Sequence, residues 1–462
     1  MTGVLGILVS LGLLMWLAYR GISVLVLAPA LALLAVLIGG DLPLLAVYTQ
    51  IFMTALGGFV IKYFPLFLLG AIFGRLMRDS GAADTIARAI VTTLGGQRAL
   101  PAVVLACAVL TYGGVSVFVV AFAAFPVAAR LFQQADVPKR LIPGAIVLGA
   151  GTFTMTALPG APSIQNAIPM PYLGTDLFAA PVTGVLAAAL MLAGGLAWLT
   201  RRERTARALG EGYGQRVAAP AEDAAPAPRP GLAVSLTPLV LVIAANLVFA
   251  RLIIPAMDTT YLAEPRFGRA TIDDVRGLWA LIAALTTTLV VTVVLHWRSW
   301  RDLTGSINHG TQSALLPIFN TASEVGYGTV IASLAAFAAI RDQVLTLWPE
   351  SPLVSASIAV NVMAGITGSA SGGLGIALAA LGESYLALAQ EAGVGPELLH
   401  RAVVIASGGL DTLPHNGAVI TLLGICGLTH RESYADIFAV SVVVPVLTLV
   451  LLLLGGALLG SF

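Results

Sequence analysis

In 462 residues the chain carries 58% hydrophobic and 10% charged residues, with a mean hydropathy of +0.94. A water-facing surface needs roughly a quarter of its residues charged, so a soluble domain is excluded and lipid must be the solvent. The net charge of +1 offers nothing to a nucleic acid, and none is expected as a partner.

Taken in chain order, the first apolar runs are Val4–Tyr19 and Val24–Ile38, close together around Arg20. No basic segment precedes them, so the first reads as a retained helix and not a cleaved leader. Gly57–Met77 follows, interrupted by Lys62 and Pro65. After it comes a charged surface segment in which Ser80 and Asp84 mark a helix start. Between Pro101 and Thr175 the chain is apolar but repeatedly broken. Thr111–Phe118 sits between two apolar arms, each too short to cross ~30 Å of hydrocarbon comfortably. A re-entrant helical hairpin with Gly113-Gly114 near its tip is the economical reading. Ala150–Asn166 then interrupts another helix with threonines, two prolines, Gln165 and Asn166.

Ala179–Leu199 is a further span, and residues 201–231 are the one clear change in composition: an Ala/Pro-rich, solvated linker. Its start holds Arg201, Arg202, Arg204 and Arg207 against Glu203, which places it in the cytoplasm by the positive-inside tendency. Leu232–Ala250, Gly277–Leu295 and Ile437–Leu459 read as spans of the second half. Between them lie a polar interruption at Asn320–Thr329, a second hairpin signal at Ala364–Gly375, and the stretch Ser407–Thr421, a helix broken by Gly, Pro and polar residues. Cys107 and Cys426 lie in apolar runs and read as small core residues.

The halves match: Gly113-Gly114 pairs with Gly372-Gly373, Gly151 with Gly409, and Leu158-Pro159 with Leu413-Pro414. Glycine- and proline-broken segments at corresponding positions point to a repeat-built transporter. Residues 1–200 form a first transmembrane repeat, 201–231 the linker and 232–462 a second repeat. In hydrocarbon, unwound backbone survives only inside protein or against a wet cavity. The two hairpins and two broken helices therefore converge on something polar. Half-helix N-termini suit a carboxylate, and freed carbonyls suit a cation such as Na⁺. The breaks hold no nucleophile–base–acid set and no metal-ligand spacing, so neither enzyme activity, a metal nor a cofactor is expected.

Phe73–Ala87, the hairpin around Gly113-Gly114, its counterpart at Thr367–Gly375, the run A-S-G-G-L-D-T and Gly427–Tyr434 resemble the gluconate permease (GntP-type) family. The resemblance covers most of the chain, excluding the linker. It implies an ion-transporter-superfamily fold: an all-α polytopic membrane protein of two inverted repeats, each with a re-entrant hairpin and a broken transmembrane helix. It also implies a homodimer in a bacterial inner membrane and an elevator motion. The activity implied is uptake of gluconate, a related sugar acid or a 3-hydroxybutyrate-like acid with protons. Sodium coupling and a passive facilitator stay open as alternatives. Pro414 and His415 depart from the family pattern, which leaves the choice of acid open.

The residues expected to bind substrate are Gly113, Gly114, Ser116, Thr154, Ser163, Gln165, Asn166, Ser369, Ser371, Gly372, Gly373, Thr412, His415 and Asn416. For the small residues at the hairpin tips, close helix packing is the competing role. Ion or proton coupling is expected of Asp411, His415 and Glu324, because an intramembrane charge must be paired, hydrated or protonated and a histidine titrates near neutrality. His296, His309, His400 and His430 read as segment ends.

Overall fold

The computed structural model describes residues 2–20, 22–39, 42–94, 98–115, 117–214, 230–337, 351–414 and 416–459. Ser116 and His415 fall outside the described residues. The described chain is helical and without strands. The first pair, α1 (Thr2–Tyr19) and α2 (Val24–Gly39), opens the chain. The chain then runs α3 (Leu44–Asp79), α4 (Ala82–Leu94), a hairpin of α5 (Ala99–Tyr112) and α6 (Val117–Gln134), α7 (Ile142–Ala150) with an unwound continuation, and α8 (Pro181–Ala208). Two further spans, α9 (Leu232–Ala256) and α10 (Ile272–Leu295), follow the linker.

The second repeat repeats the order. It consists of α11 (Leu303–Ser333), a hairpin of α12 (Pro352–Thr367) and α13 (Ala370–Glu391), then α14 (Pro396–Ser407), a break, and α15 (Gly417–Cys426). It closes with α16, which runs His430–Phe438, turns once as a π-helix at Ala439–Val443, and ends Val444–Leu459. Six described helices are long and apolar enough to cross a membrane.

Two sets of contacts show that the repeats are inverted. The equivalent helices α3 and α11 lie side by side and antiparallel. Ser306 Oγ at the start of α11 donates to Asp79 Oδ2 at the end of α3, at 2.7 Å. Further along, Gly310 abuts Ile72 and Gly326 abuts Phe52, where a Cβ would stand 2.8 and 3.0 Å from the facing atoms. The broken helices also run in opposite senses. The start of α7 lies beside the end of α15, with Lys139 Nζ 3.6 Å from where a Cβ on Gly427 would be. Ser433 Oγ donates to the Arg140 carbonyl at 2.7 Å.

The hairpins close for local reasons. In the first, α5 is capped by Gly113, and Gly114 takes φ +93°, which a side chain would resist. In the second, Pro352 occupies the first turn of α12 and Gly368 ends it at φ 63°. Ser369 then caps α13 by accepting the Gly372 N–H at 3.0 Å.

Several details differ from what the sequence predicts. Gly372 and Gly373 lie in the first turn of α13, so the tip itself is Gly368-Ser369. The 22 residues of α13 are enough to cross the bilayer, so this arm is longer than the sequence suggests. Neither Lys62 and Pro65 in α3 nor Asn320–Thr329 in α11 interrupts its helix. A lone proline forfeits one hydrogen bond without unwinding a long, well-packed helix, and polar residues along one buried stripe leave the backbone ladder intact. The helix α8 continues to Ala208, so the first residues of the linker are its last turns.

Candidate solute and cation site

The break in the first repeat starts where Gly151 caps α7. One-turn helices at Phe153–Thr156, Ile164–Ala167 and Met170–Leu173 follow. Its hydroxyls serve its own backbone. Thr152 donates to Leu148 O at 2.7 Å, Thr154 to Gly149 O at 2.8 Å, and Ser163 to Met155 O at 2.7 Å. Asn166 is fully buried, and its amide N–H groups go to Ala161 O (3.1 Å) and Leu177 O (3.0 Å). Gln165 is partly exposed beside it.

Two residues outside the sequence-predicted site are central here: His400, which reads as a segment end, and Arg401, which the sequence reading passes over. Arg401, in the middle of α14, is 0% exposed. Its Nε donates to Ala179 O (3.1 Å), Nη1 to Asn166 Oδ1 (3.2 Å) and Thr156 O (3.5 Å), and Nη2 to Ala179 O (2.8 Å) and Leu177 O (3.2 Å). All five guanidinium N–H groups are thereby used. His400 is equally buried, with Nδ1 2.6 Å from Thr175 Oγ1 and Nε2 3.1 Å from Asn166 Oδ1. Asn166 Oδ1 can only accept, so Nε2 carries the hydrogen and Nδ1 accepts from Thr175. The signal in the sequence was a basic residue inside P-E-L-L-H-R-A-V-V-I-A-S, a helix that is apolar beyond its acidic first turn and leads into a break. Such a charge has to face protein.

The second break, from Gly408 to Asn416, is held from two sides. Asn416 caps α15 by accepting the Val419 N–H at 2.8 Å. Its amide group donates to Gly368 O at the second hairpin tip (2.8 Å) and to Asp411 O (2.9 Å). From α16, Tyr434 donates to Thr412 O at 3.2 Å, and Ser441 Oγ lies 2.7 Å from Thr412 Oγ1. His430 Nε2 lies 3.0 Å from Pro414 O. The breaks meet where Gly408 leaves room for Thr156, whose Cγ2 is 2.9 Å from where a Cβ would be. At the first hairpin, Tyr112 donates to Pro159 O at 2.8 Å. Gly113 faces Leu239, and Gly114 faces Pro162.

The second half keeps oxygens without partners. Asp411 Oδ1, in the break, is shut from solvent and has no hydrogen-bond partner among the described residues. Asn361 Oδ1 on α12 is in the same condition and lies against Gly409. On α11, Glu324 is 3% exposed with Oε2 unpartnered against Gly372, and Asn320 Oδ1 is unpartnered one turn earlier. Ser369 Oγ and Ser371 Oγ are 3.4 Å apart, and Ser371 lies 3.4 Å from Thr321 Oγ1 beside Glu324. Leaving such groups unsatisfied costs about 1–3 kcal/mol each. The Gly368–Gly372 tip touches both Glu324 and the second break, and the N-termini of α13 and α15 meet there through the Asn416–Gly368 bond. Positive helix ends and unpaired acidic oxygens therefore share one locality.

The sequence-predicted site residues accordingly divide. Asp411, Glu324, Ser369, Ser371, Gly372 and Asn416 come together around the second hairpin tip, whereas Thr412 is held by Ser441 and Tyr434 of α16. Thr154, Ser163 and Asn166 are absorbed in closing the first break. Gly113 and Gly373 are close-packing positions: a Cβ on Gly373 would strike the Ala364 backbone across the hairpin.

No protein-family model matches the chain. It is 46% identical over 451 residues to an uncharacterized transporter, YxjC, of Bacillus subtilis (strain 168), with 95% of each chain covered. A second uncharacterized transporter, from Haemophilus influenzae, matches over 124 residues at 32% identity, 27% of each chain. Among solved structures, the Alcanivorax borkumensis YdaH transporter, described as having an unusual topology, is similar with a TM-score of 0.56. That match covers 87% of this chain and 88% of the other at 16% identity, a likeness of fold.

Proposed function

The chain belongs to the family of the uncharacterized transporter YxjC, and from that premise we propose that it is a secondary symporter for a small hydroxylated organic anion. Gluconate, related sugar acids and 3-hydroxybutyrate-like acids form the substrate class. The observation that carries this reading is the meeting of two helix N-termini with the unpartnered oxygens of Asp411 and Glu324 at the second hairpin tip. The N-termini attract the carboxylate, and a bound proton or cation neutralises the acids.

A proton is the favoured coupling ion, because a buried carboxylate with an unfilled acceptor is neutralised by one. Sodium is the second reading, favoured by the neutral oxygens of Asn361 and Asn320 nearby. Neither anion nor cation alone cancels the charge of the site, so the two bind and leave together, which is the basis of symport. Inverted repeats, related by a pseudo-two-fold axis in the membrane plane, suit a site that opens to either side. An elevator displacement of the hairpins and breaks against α3 and α11 would expose the site to each side in turn, in a homodimer of the bacterial inner membrane.

The test is uptake by reconstituted protein of a labelled panel of sugar and hydroxy acids, crossed with imposed proton and sodium gradients. Concentrative uptake of at least one acid under one inward cation gradient is expected. Equilibration without accumulation would instead make the protein a facilitator, and no uptake of any acid removes the reading.

A further inference from the structure

Each break leaves oxygens outside a regular helix, and such oxygens are places for a cation. Only one of these places is open. At the first break the carbonyl oxygens of Thr156, Leu177 and Ala179 and Asn166 Oδ1 already converge on a cation, the Arg401 guanidinium. It arrives from the other repeat, is 0% exposed and has no N–H left to offer a substrate. No carboxylate bonds to it. The acid in the region, Asp176, gives Oδ1 to the Phe178 N–H at 2.8 Å and Oδ2 to Arg251 at 3.1 Å. Neutral oxygens accept every N–H of the charged group, as they would surround a bound alkali cation. A staple needing only donors could be an amide, at far lower desolvation cost than a full charge. The second break is the converse, with Asp411 Oδ1 and Asn361 Oδ1 unfilled.

We propose that Arg401 is a tethered cation that permanently fills the first-repeat cation position. Each chain then keeps one exchangeable cation site, in the second repeat, and moves one cation per substrate anion. The inference rests on the symporter reading for its coupling ratio, but the filling of the first position stands on the geometry of Arg401 alone.

Two measurements test it. One cation per monovalent anion is electroneutral, so in reconstituted wild-type protein the substrate gradient that just balances an opposed cation gradient is expected to match it one to one and to be indifferent to membrane potential. A ratio of two, which carries net positive charge, overturns the inference. If no acid is taken up at all, the symporter reading fails by itself, and the second measurement decides the role of Arg401. In purified Arg401→Ala protein the melting temperature should fall by roughly 3–10 °C. Millimolar guanidinium should restore it saturably, while tetramethylammonium at the same ionic strength should not, and wild type should not respond. Absence of that recovery overturns the inference, as does an Arg401→Met variant that melts with wild type. Should the alanine variant fail to accumulate, Arg401→Lys is expected to fold; a lysine variant no more stable than Arg401→Met overturns the inference.

Discussion

Asp411 and Asn416 lie five residues apart in one break, yet they end in opposite conditions. Asn416 spends both ends of its amide on Val419, Gly368 and Asp411, whereas Asp411 has an oxygen with no partner among the described residues. The residue types alone suggest a binding role for both. Which one is consumed by the backbone depends on where the hairpin tip docks, and no local pattern encodes that. Asn166 shows the same limit, since its partners Arg401 and His400 are over 230 positions away. The unpartnered acids give a direct prediction. Asp411→Asn and Glu324→Gln each remove a carboxylate without changing shape. Gradient-driven accumulation should fall at least about tenfold while thermal stability holds or rises, because burying a charge is costly. Accumulation at the wild-type level in both variants would remove these acids from coupling.

Among the elements, the residues just after α8 are fastened through Glu211. Arg140, before α7, meets Glu211 at 2.6 and 2.9 Å and Asp436 of α16 at 3.1 Å. Arg202 and Trp198 of α8 also bond Asp436, at 2.8 and 3.1 Å. This cluster ties α7, α8 and α16 together at one membrane face. The hydrogen bonds from Arg140 hold the Glu211 carboxyl below its usual range, ahead of a smaller opposing effect of burial. A depressed carboxylate contributes stability above its unfolded value, ~4.3, and loses it as pH falls through the lower folded value. The melting-temperature difference between wild type and Glu211→Gln should therefore be flat from pH 8 to about 5 and shrink below about 4. The pair is partly exposed, so the difference should stay under about 1 kcal/mol. A difference that grows on acidification would contradict this account of the pair.

At the scale of the whole molecule, inversion makes the two faces of the protein chemically unequal although the repeats are alike. The face holding Lys139, Arg140, Arg202 and the end of α8 is basic, and it is expected to be cytoplasmic. Both native cysteines are buried, which makes labelling of an introduced cysteine clean. Leu209, just beyond α8, is 79% exposed. In Leu209→Cys protein a membrane-impermeant maleimide should react in inside-out vesicles and not in intact cells; the reverse pattern inverts the orientation. Much of this scale was legible in advance. Composition dictated lipid as the solvent, and from that followed spanning helices. The matched Gly/Pro interruptions then marked two hairpins and two breaks, since unwound backbone in hydrocarbon has to sit against protein or water. Periodicity and composition are local, and they report how a segment meets its solvent. They could not report that Pro65 and Asn320–Thr329 lie in unbroken helices, nor that an arginine of the second repeat closes the break of the first. Those outcomes were decided by tertiary structure, because a buried polar group is satisfied or left open only by what another segment brings to it.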